Sequence, residues 1–156
     1  MKTYAAPDRD PREQRVISIA YLGIGAGLVD SYERKSSGQY MFIPVDEIIN
    51  SSEKTMAFDH YNIFLDSIKR LKAKIGYSPI ATHFCSEEFT IRELRRVYEI
   101  IWDTTLDPGN FQKKVLSSPD FLVRKDKNAE SSTTGGRPAK LYSASTEALL
   151  GNPIRQ

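Results

Sequence analysis

Apolar and polar positions follow two rhythms along this chain, and the change from one to the other predicts its elements. Over residues 14–22, Val16, Ile17, Ile19, Ala20, Tyr21 and Leu22 make a β-branched, apolar run that predicts a largely buried strand. Pro7 and Pro11 bracket charged residues just before it, so a turn or loop leads in. Gly23, Gly25 and Gly27 then mark a flexible strand exit, since their spacing is not that of a dinucleotide-binding turn. Residues 39–45 predict a second strand with Pro44 at its end, and residues 46–49 one helical turn. From about residue 55 to 75 the rhythm becomes helical. Phe64, Ile68, Leu71 and Ile75 form one stripe, and Lys69, Arg70, Lys72 and Lys74 fall off it. Gly76 and Pro79 are stop signals, and residues 77–85 form a connection that is a candidate domain boundary.

Beyond that connection the pattern sharpens. Ile91, Leu94, Val97, Tyr98 and Ile101 predict an amphipathic helix over 88–102, with Thr90 and Glu93 at capping-box spacing. Arg92, Arg95, Arg96 and Glu99 lie off its stripe. Asp107 and Pro108 start a short helix over 108–117, which buries Phe111 and either Val115 or Leu116 and turns Asn110, Lys113 and Lys114 outward. Two short strands, 120–124 and 139–143, follow on either side of a long, basic, flexible loop. Helix, turn, helix and charged hairpin come in the order of a winged helix. Residues 146–156 read as a flexible tail.

Composition narrows the class. The chain has 156 residues, 40% hydrophobic and 27% charged, with a formal net charge of +2, enough for one domain or two small ones with a core. No run approaches the roughly 20 apolar residues needed to span a bilayer. Residues 1–11 lack the apolar stretch of a secretory signal, and the single cysteine, Cys85, has no partner for an internal disulfide, so a cytoplasmic location is expected. The total charge says little, but within residues 108–140 Lys113, Lys114, Arg124, Lys125, Lys127, Arg137 and Lys140 face only Asp120, Asp126 and Glu130.

A helix entering a major groove needs such residues: Asn110 offers an amide to base edges, and Lys113 and Lys114 reach phosphate or guanine. Arg137 beside Gly135 and Gly136 suits a wing that approaches a phosphate or a narrow minor groove. On residue pattern alone, DNA binding and protein contacts through the same geometry both stay open. No metal or cofactor is expected, because His60, His83 and Cys85 lack further ligands at metal spacing. Glu87 and Glu88 read as helix-start partners rather than a catalytic pair, and Cys85 has no base beside it. Asp8, Arg9, Asp10 and Arg12 suit either contacts to a phosphate or sugar or mutual ion pairing in a turn, the blander reading being favoured.

Several segments together resemble the Nudix-related transcriptional regulators. The run Phe89 to Glu99 is similar to the opening of their winged-helix domain, Asn110-Phe111 with Lys113-Lys114 to the recognition helix, and Gly136 to Tyr142 to the wing. Asp8 to Arg12, followed by Arg15 to Tyr21, resembles later strands of the Nudix-like domain, and Ala57 to His60 the start of its last helix. The Nudix box itself is not matched. Arg92-Glu93-Leu94 opens like its second half, but Arg96 and Val97 stand where paired glutamates would hold a divalent cation, and Phe84 stands where an earlier glutamate would be. Where family members often carry arginine on both sides of the Asn-Phe pair, this chain has Gly109 and Gln112, and Gln112 could read adenine instead.

The resemblance implies an α+β protein: a partial Nudix-like α/β region over 1–85 that lacks its first strands, then a winged helix-turn-helix domain over 86–145. It implies a transcriptional regulator of NAD or sugar metabolism genes, most often a homodimer, that binds double-stranded DNA through Asn110, Gln112, Lys113, Lys114, Arg137 and Lys140. It also implies an effector such as ADP-ribose or a related nucleotide or sugar, held without catalysis near Asp8, Arg9, Asp10, Arg12 and Arg15. The alternatives are a Nudix hydrolase of nucleoside diphosphate derivatives represented by an incomplete chain, and a remnant used only for protein contacts.

Overall fold

The computed structural model describes residues 2–7, 9, 15–26, 42–51, 56–129, 138–145 and 154. The chain divides into two units, Met1–Arg70 and Leu71–Gln156.

In the first unit, β1 (Lys2–Tyr4) and β2 (Ser18–Ala20) pair antiparallel with Thr3 opposite Ile19. The expected long, buried strand over 14–22 is corrected here. It is three residues long, and Ile17, Ile19 and Tyr21 are 62%, 54% and 77% exposed. Side chains alternate between the faces of a strand, so these three share one face, and nothing among the described residues covers it. The sequence does not reveal β1, because three residues are too few to show an alternating pattern, and its order comes from pairing with β2.

Of the second expected strand, Phe42, Ile43 and Pro44 are described and are not in a strand; Val45–Asn50 is a helix, α1. Pro44 sits at its N-cap, where the missing N–H costs nothing, and Asp46 and Glu47 occupy the first turn, where the helix dipole favours anions. The long helix, α2, spans His60–Ile75 and starts later than residue 55. Phe58 explains the delay: its φ of 53° is left-handed backbone, which a right-handed helix cannot include.

The second unit takes in the last turn of α2, where Leu71 and Ile75 are buried. A 3₁₀ helix, Pro79–Phe84, occupies the expected connection. α3 (Ile91–Trp102) follows, and its capping box is formed as the spacing predicts: Thr90 Oγ1 accepts from the Glu93 N–H, and the Glu93 carboxylate accepts from the Thr90 N–H. α4 is Pro108–Leu116. β3 (Leu122–Asn128) and β4 (Lys140–Ala144) pair antiparallel, with Arg124 opposite Tyr142 and a register irregularity between Arg124 and Asn128. β3 therefore runs on through residues 125–128, which the sequence assigns to the flexible loop. Pairing of Asn128 with Lys140 anchors the far end of the strand beyond the irregular stretch, which the weak strand propensity of those polar residues would not secure alone.

Leu94, Tyr98, Phe111, Val115, Phe121 and Phe89 form the core of this unit. Tyr98 lies edge-on between Trp102 and Phe111, with ring centroids 5.1 and 5.3 Å away. Phe89 and Tyr142 exchange backbone hydrogen bonds of 2.9 and 2.8 Å, which tie the approach to α3 to the wing strand.

Gly76 follows the last residue of α2, and packing that the pattern did not contain favours glycine there. Its backbone is not left-handed; instead a Cβ there would meet the Ile154 carbonyl at 3.0 Å and the Trp102 ring at 3.6 Å. Ile154 is buried, its N–H donates to the Gly76 carbonyl at 2.7 Å, and Trp102 Nε1 donates to the Lys72 carbonyl at 2.9 Å. Gly76→Ala should therefore lower the stability of this unit by about 1–3 kcal/mol through overpacking. Trp102 is the single tryptophan, so its fluorescence in a urea titration reads the change directly. An unchanged midpoint would mean that Ile154 is not seated on Gly76 in solution.

Candidate nucleic-acid interface

The exposed surface of α4 follows from what the helix buries. Asp107 Oδ1 accepts from the Asn110 N–H at 2.7 Å and Pro108 takes the first helical position, so the helix start is set by local chemistry. Phe111 and Val115 are 4% and 1% exposed, which settles the choice between Val115 and Leu116: Leu116 is 48% exposed. With that face inward, 3.6 residues per turn place Lys113 opposite it, with Asn110 and Gln112 exposed on either side. Lys114 lies nearer the core edge and is half-buried. A Cβ on Gly109 would approach only Asp107 Oδ1, at 3.5 Å, so the outer face of the first turn is open.

Lys140, at the start of β4, is exposed. Lys127, one of the cations of the basic stretch, lies 3.8 Å from a Glu88 carboxylate oxygen, a surface pair of small energetic weight. Arg137 and its two glycines lie outside the described residues.

Sequence reasoning missed what holds the turn between α3 and α4. Arg95 Nη1 donates to the Leu106 carbonyl at 2.9 Å, and Glu99 Oε1 accepts from the Leu106 N–H at 3.1 Å. Arg95 and Glu99 also pair with each other at 3.6 Å. Their spacing of four on a helix signals an ion pair, but nothing local points to Leu106.

In the first unit, the expected effector residues separate. Asp8, Asp10 and Arg12 lie outside the described residues. Arg15 is exposed and donates to the Ala5 carbonyl at 3.1 Å. Arg9 is engaged deeply: Nε and Nη2 each reach an Asp59 carboxylate oxygen at 2.8 Å, Nη1 reaches the Val16 carbonyl at 3.3 Å, and its side chain is 5% exposed. The Arg9 guanidinium holds the Asp59 carboxyl below its ordinary value of 3.8. Nearby, Lys2 pairs with Asp66, which also accepts from the Tyr4 hydroxyl at 3.1 Å.

Arg9→Ala should speed amide exchange across residues 15–20 and 56–66 by an amount equivalent to about 1.5–3 kcal/mol, the usual worth of hydrogen bonds to a charged group. A carboxylate with a depressed folded pKa stabilises above its unfolded value, so the gap between wild type and variant should be full at neutral pH. It should narrow as pH falls below 3.8 and Asp59 takes up its proton. A gap independent of pH would show that the pair is not formed.

Among the described residues no group of three or more His, Cys, Asp or Glu side chains is placed to hold a metal, and no helix is long and apolar enough to cross a membrane. Burial pushes the Cys85 thiol up to about 11.

Two capped helices, an anchored turn and an antiparallel hairpin bridged back to the segment that leads into the first helix define a winged helix. Residues 81–144 match the family model of the NrtR DNA-binding winged helix domain. Over 87 residues the chain is 30% identical to an ADPR responsive transcriptional repressor, NtrR, of Acinetobacter baylyi. That match takes in 56% of this chain and 33% of the relative, so the matched part is about a third of the relative's length. Among solved structures, Shewanella oneidensis NrtR, both alone and complexed with a 27mer DNA, is similar in fold with a TM-score of 0.78 at 20% identity. These matches cover 98% of this chain and 68% of the NrtR chain. The resemblance to Nudix-related regulators and the mixed helix-and-sheet class both hold.

Proposed function

We propose that this chain is a DNA-binding transcriptional regulator whose residues 86–145 read double-stranded DNA through α4 and the wing. The observation that carries the reading is the outward face of α4. Asn110, Gln112 and Lys113 are exposed and Lys114 half-exposed on a helix whose other face is locked into the core by Phe111 and Val115. Asn110 and Gln112 suit adenine edges, Lys113 and Lys114 guanine or phosphate, and Lys140 with Arg137 would hold the wing. The Acinetobacter relative named as ADPR-responsive supports an effector of that class, with genes of NAD or sugar metabolism as targets. A homodimer acting in the cytoplasm without catalysis completes the reading. Arg9 would then order the Nudix-like region through Asp59, and effector contacts would fall to Asp8, Asp10, Arg12 and Arg15.

The test is to mix the purified chain with sheared DNA of its own genome at about 150 mM salt, where non-specific binding is weakened. The retained DNA is then sequenced, with and without ADP-ribose. One enriched palindromic motif supports a dimeric regulator, and its loss on adding ADP-ribose supports the effector. Retention of random sequence, or none, would sink the regulator reading. AMP release from ADP-ribose with Mg²⁺ would favour the hydrolase instead.

A further inference from the structure

The residue before the α4 N-cap is gripped from both sides. Leu106 has its carbonyl on Arg95 Nη1 at 2.9 Å and its N–H on Glu99 Oε1 at 3.1 Å, and both gripping side chains come from α3. The Glu99 main chain adds to the hold, because its carbonyl accepts from the N–H groups of Asp103 and Thr104. Asp103 takes a left-handed φ of 55°, which is what turns the chain off the end of α3. Arg95 and Glu99 are 21% and 10% exposed at their side chains, so water competes poorly for these bonds. Arg96 lies 4.0 Å from the other Glu99 oxygen and is 71% exposed, a minor partner.

From this geometry we infer that Arg95 and Glu99 are positioning residues for DNA recognition: a two-sided clamp on the peptide groups that flank Leu106, which fixes the angle at which α4 leaves the turn. The inference rests on the DNA-binding reading of α4. Base edges are read by side chains of fixed reach, so a helix free to rock about residues 103–107 keeps its phosphate attraction and loses its discrimination. Two short bonds to the successive peptide groups of one residue resist such rocking better than the same bonds spread over a loop. Arg95 is indispensable to the arrangement because one guanidinium serves the Leu106 carbonyl and Glu99 together.

The experiment compares full-length wild type with Arg95→Ala, Glu99→Ala and Glu99→Gln. Each is titrated against the motif retained from genomic DNA and against a shuffled duplex, at several salt concentrations. For both alanine variants the ratio of specific to random affinity should fall about tenfold, the size of one misread base pair. The salt slope on random DNA should stay as in wild type, because neither side chain meets a phosphate. Glu99→Gln, which keeps an oxygen for the Leu106 N–H, should recover most of the discrimination. Amide exchange without DNA should quicken over residues 103–110 in the alanine variants.

An unchanged specificity ratio overturns the inference, as does a salt slope reduced by about one in Arg95→Ala, which would make Arg95 a phosphate contact. If wild type itself fails to discriminate, the DNA-binding reading falls, and the positioning role falls with it. Exchange over 103–110 then still reports separately whether the clamp on the turn exists.

Discussion

Replacing Lys113 and Lys114 together by alanine is expected to weaken binding to the retained DNA motif by about 10- to 100-fold at moderate salt, and to flatten the salt dependence by about two phosphate contacts. The reasoning starts from placement. Lys113 is exposed opposite the buried face of α4, and Lys114 sits where its long chain can extend past the core edge. Removing them leaves Phe111 and Val115 in place. Both lysines lie in the last turn of α4, where cations suit the helix dipole, but alanine's higher helix propensity offsets much of that loss. The far-ultraviolet circular dichroism and the Trp102 unfolding curve should therefore change little. Equal affinity for wild type and double variant across the salt range would show that α4 is not the recognition helix.

Phe111→Ala should cost the winged-helix unit about 3–5 kcal/mol, the usual range for deleting a buried aromatic ring. The ring is 4% exposed and lies edge-on to Tyr98 at 5.3 Å, so truncation opens a cavity beside a large, fully buried side chain of the core. Small domains hold a margin of only about 5–15 kcal/mol, so this change should remove a large share of it and move the urea midpoint of Trp102 fluorescence well below that of wild type. DNA binding should fall with it. Leu116→Ala is the control: at 48% exposed, its loss should shift stability by less than about 0.5 kcal/mol. Similar effects from both variants would mean that α4 is rotated from the orientation described.

Legibility differed between the two halves of the chain. Over residues 88–117, spacing and caps foretold both helices, their starts at Thr90 and Asp107, and the outward direction of Asn110 and Lys113. Those signals are local: a capping side chain reaches no further than three residues, and a helical stripe repeats within one turn. Over residues 14–50 the same reasoning overreached. A β-branched run does not reveal whether anything covers it, so Ile17, Ile19 and Tyr21 were expected inside and are outside. Pro44 carried two meanings, strand end and helix start, and the acidic residues after it suited the second.

What the sequence alone determined about this protein is the order of elements in its winged helix, and the resemblance that the family match to residues 81–144 bears out. Only the tertiary structure decided which distant group each side chain meets. Arg9 lies on Asp59, fifty residues away, although the charged loop around it invited a neighbouring partner. Ile154 seats against Gly76, β4 draws β3 out to Asn128, and Arg95 with Glu99 grips Leu106 across the turn. The physical reason is common to all four: each contact depends on how chain segments pack, and packing energy is shared among residues whose separation along the chain carries no signal.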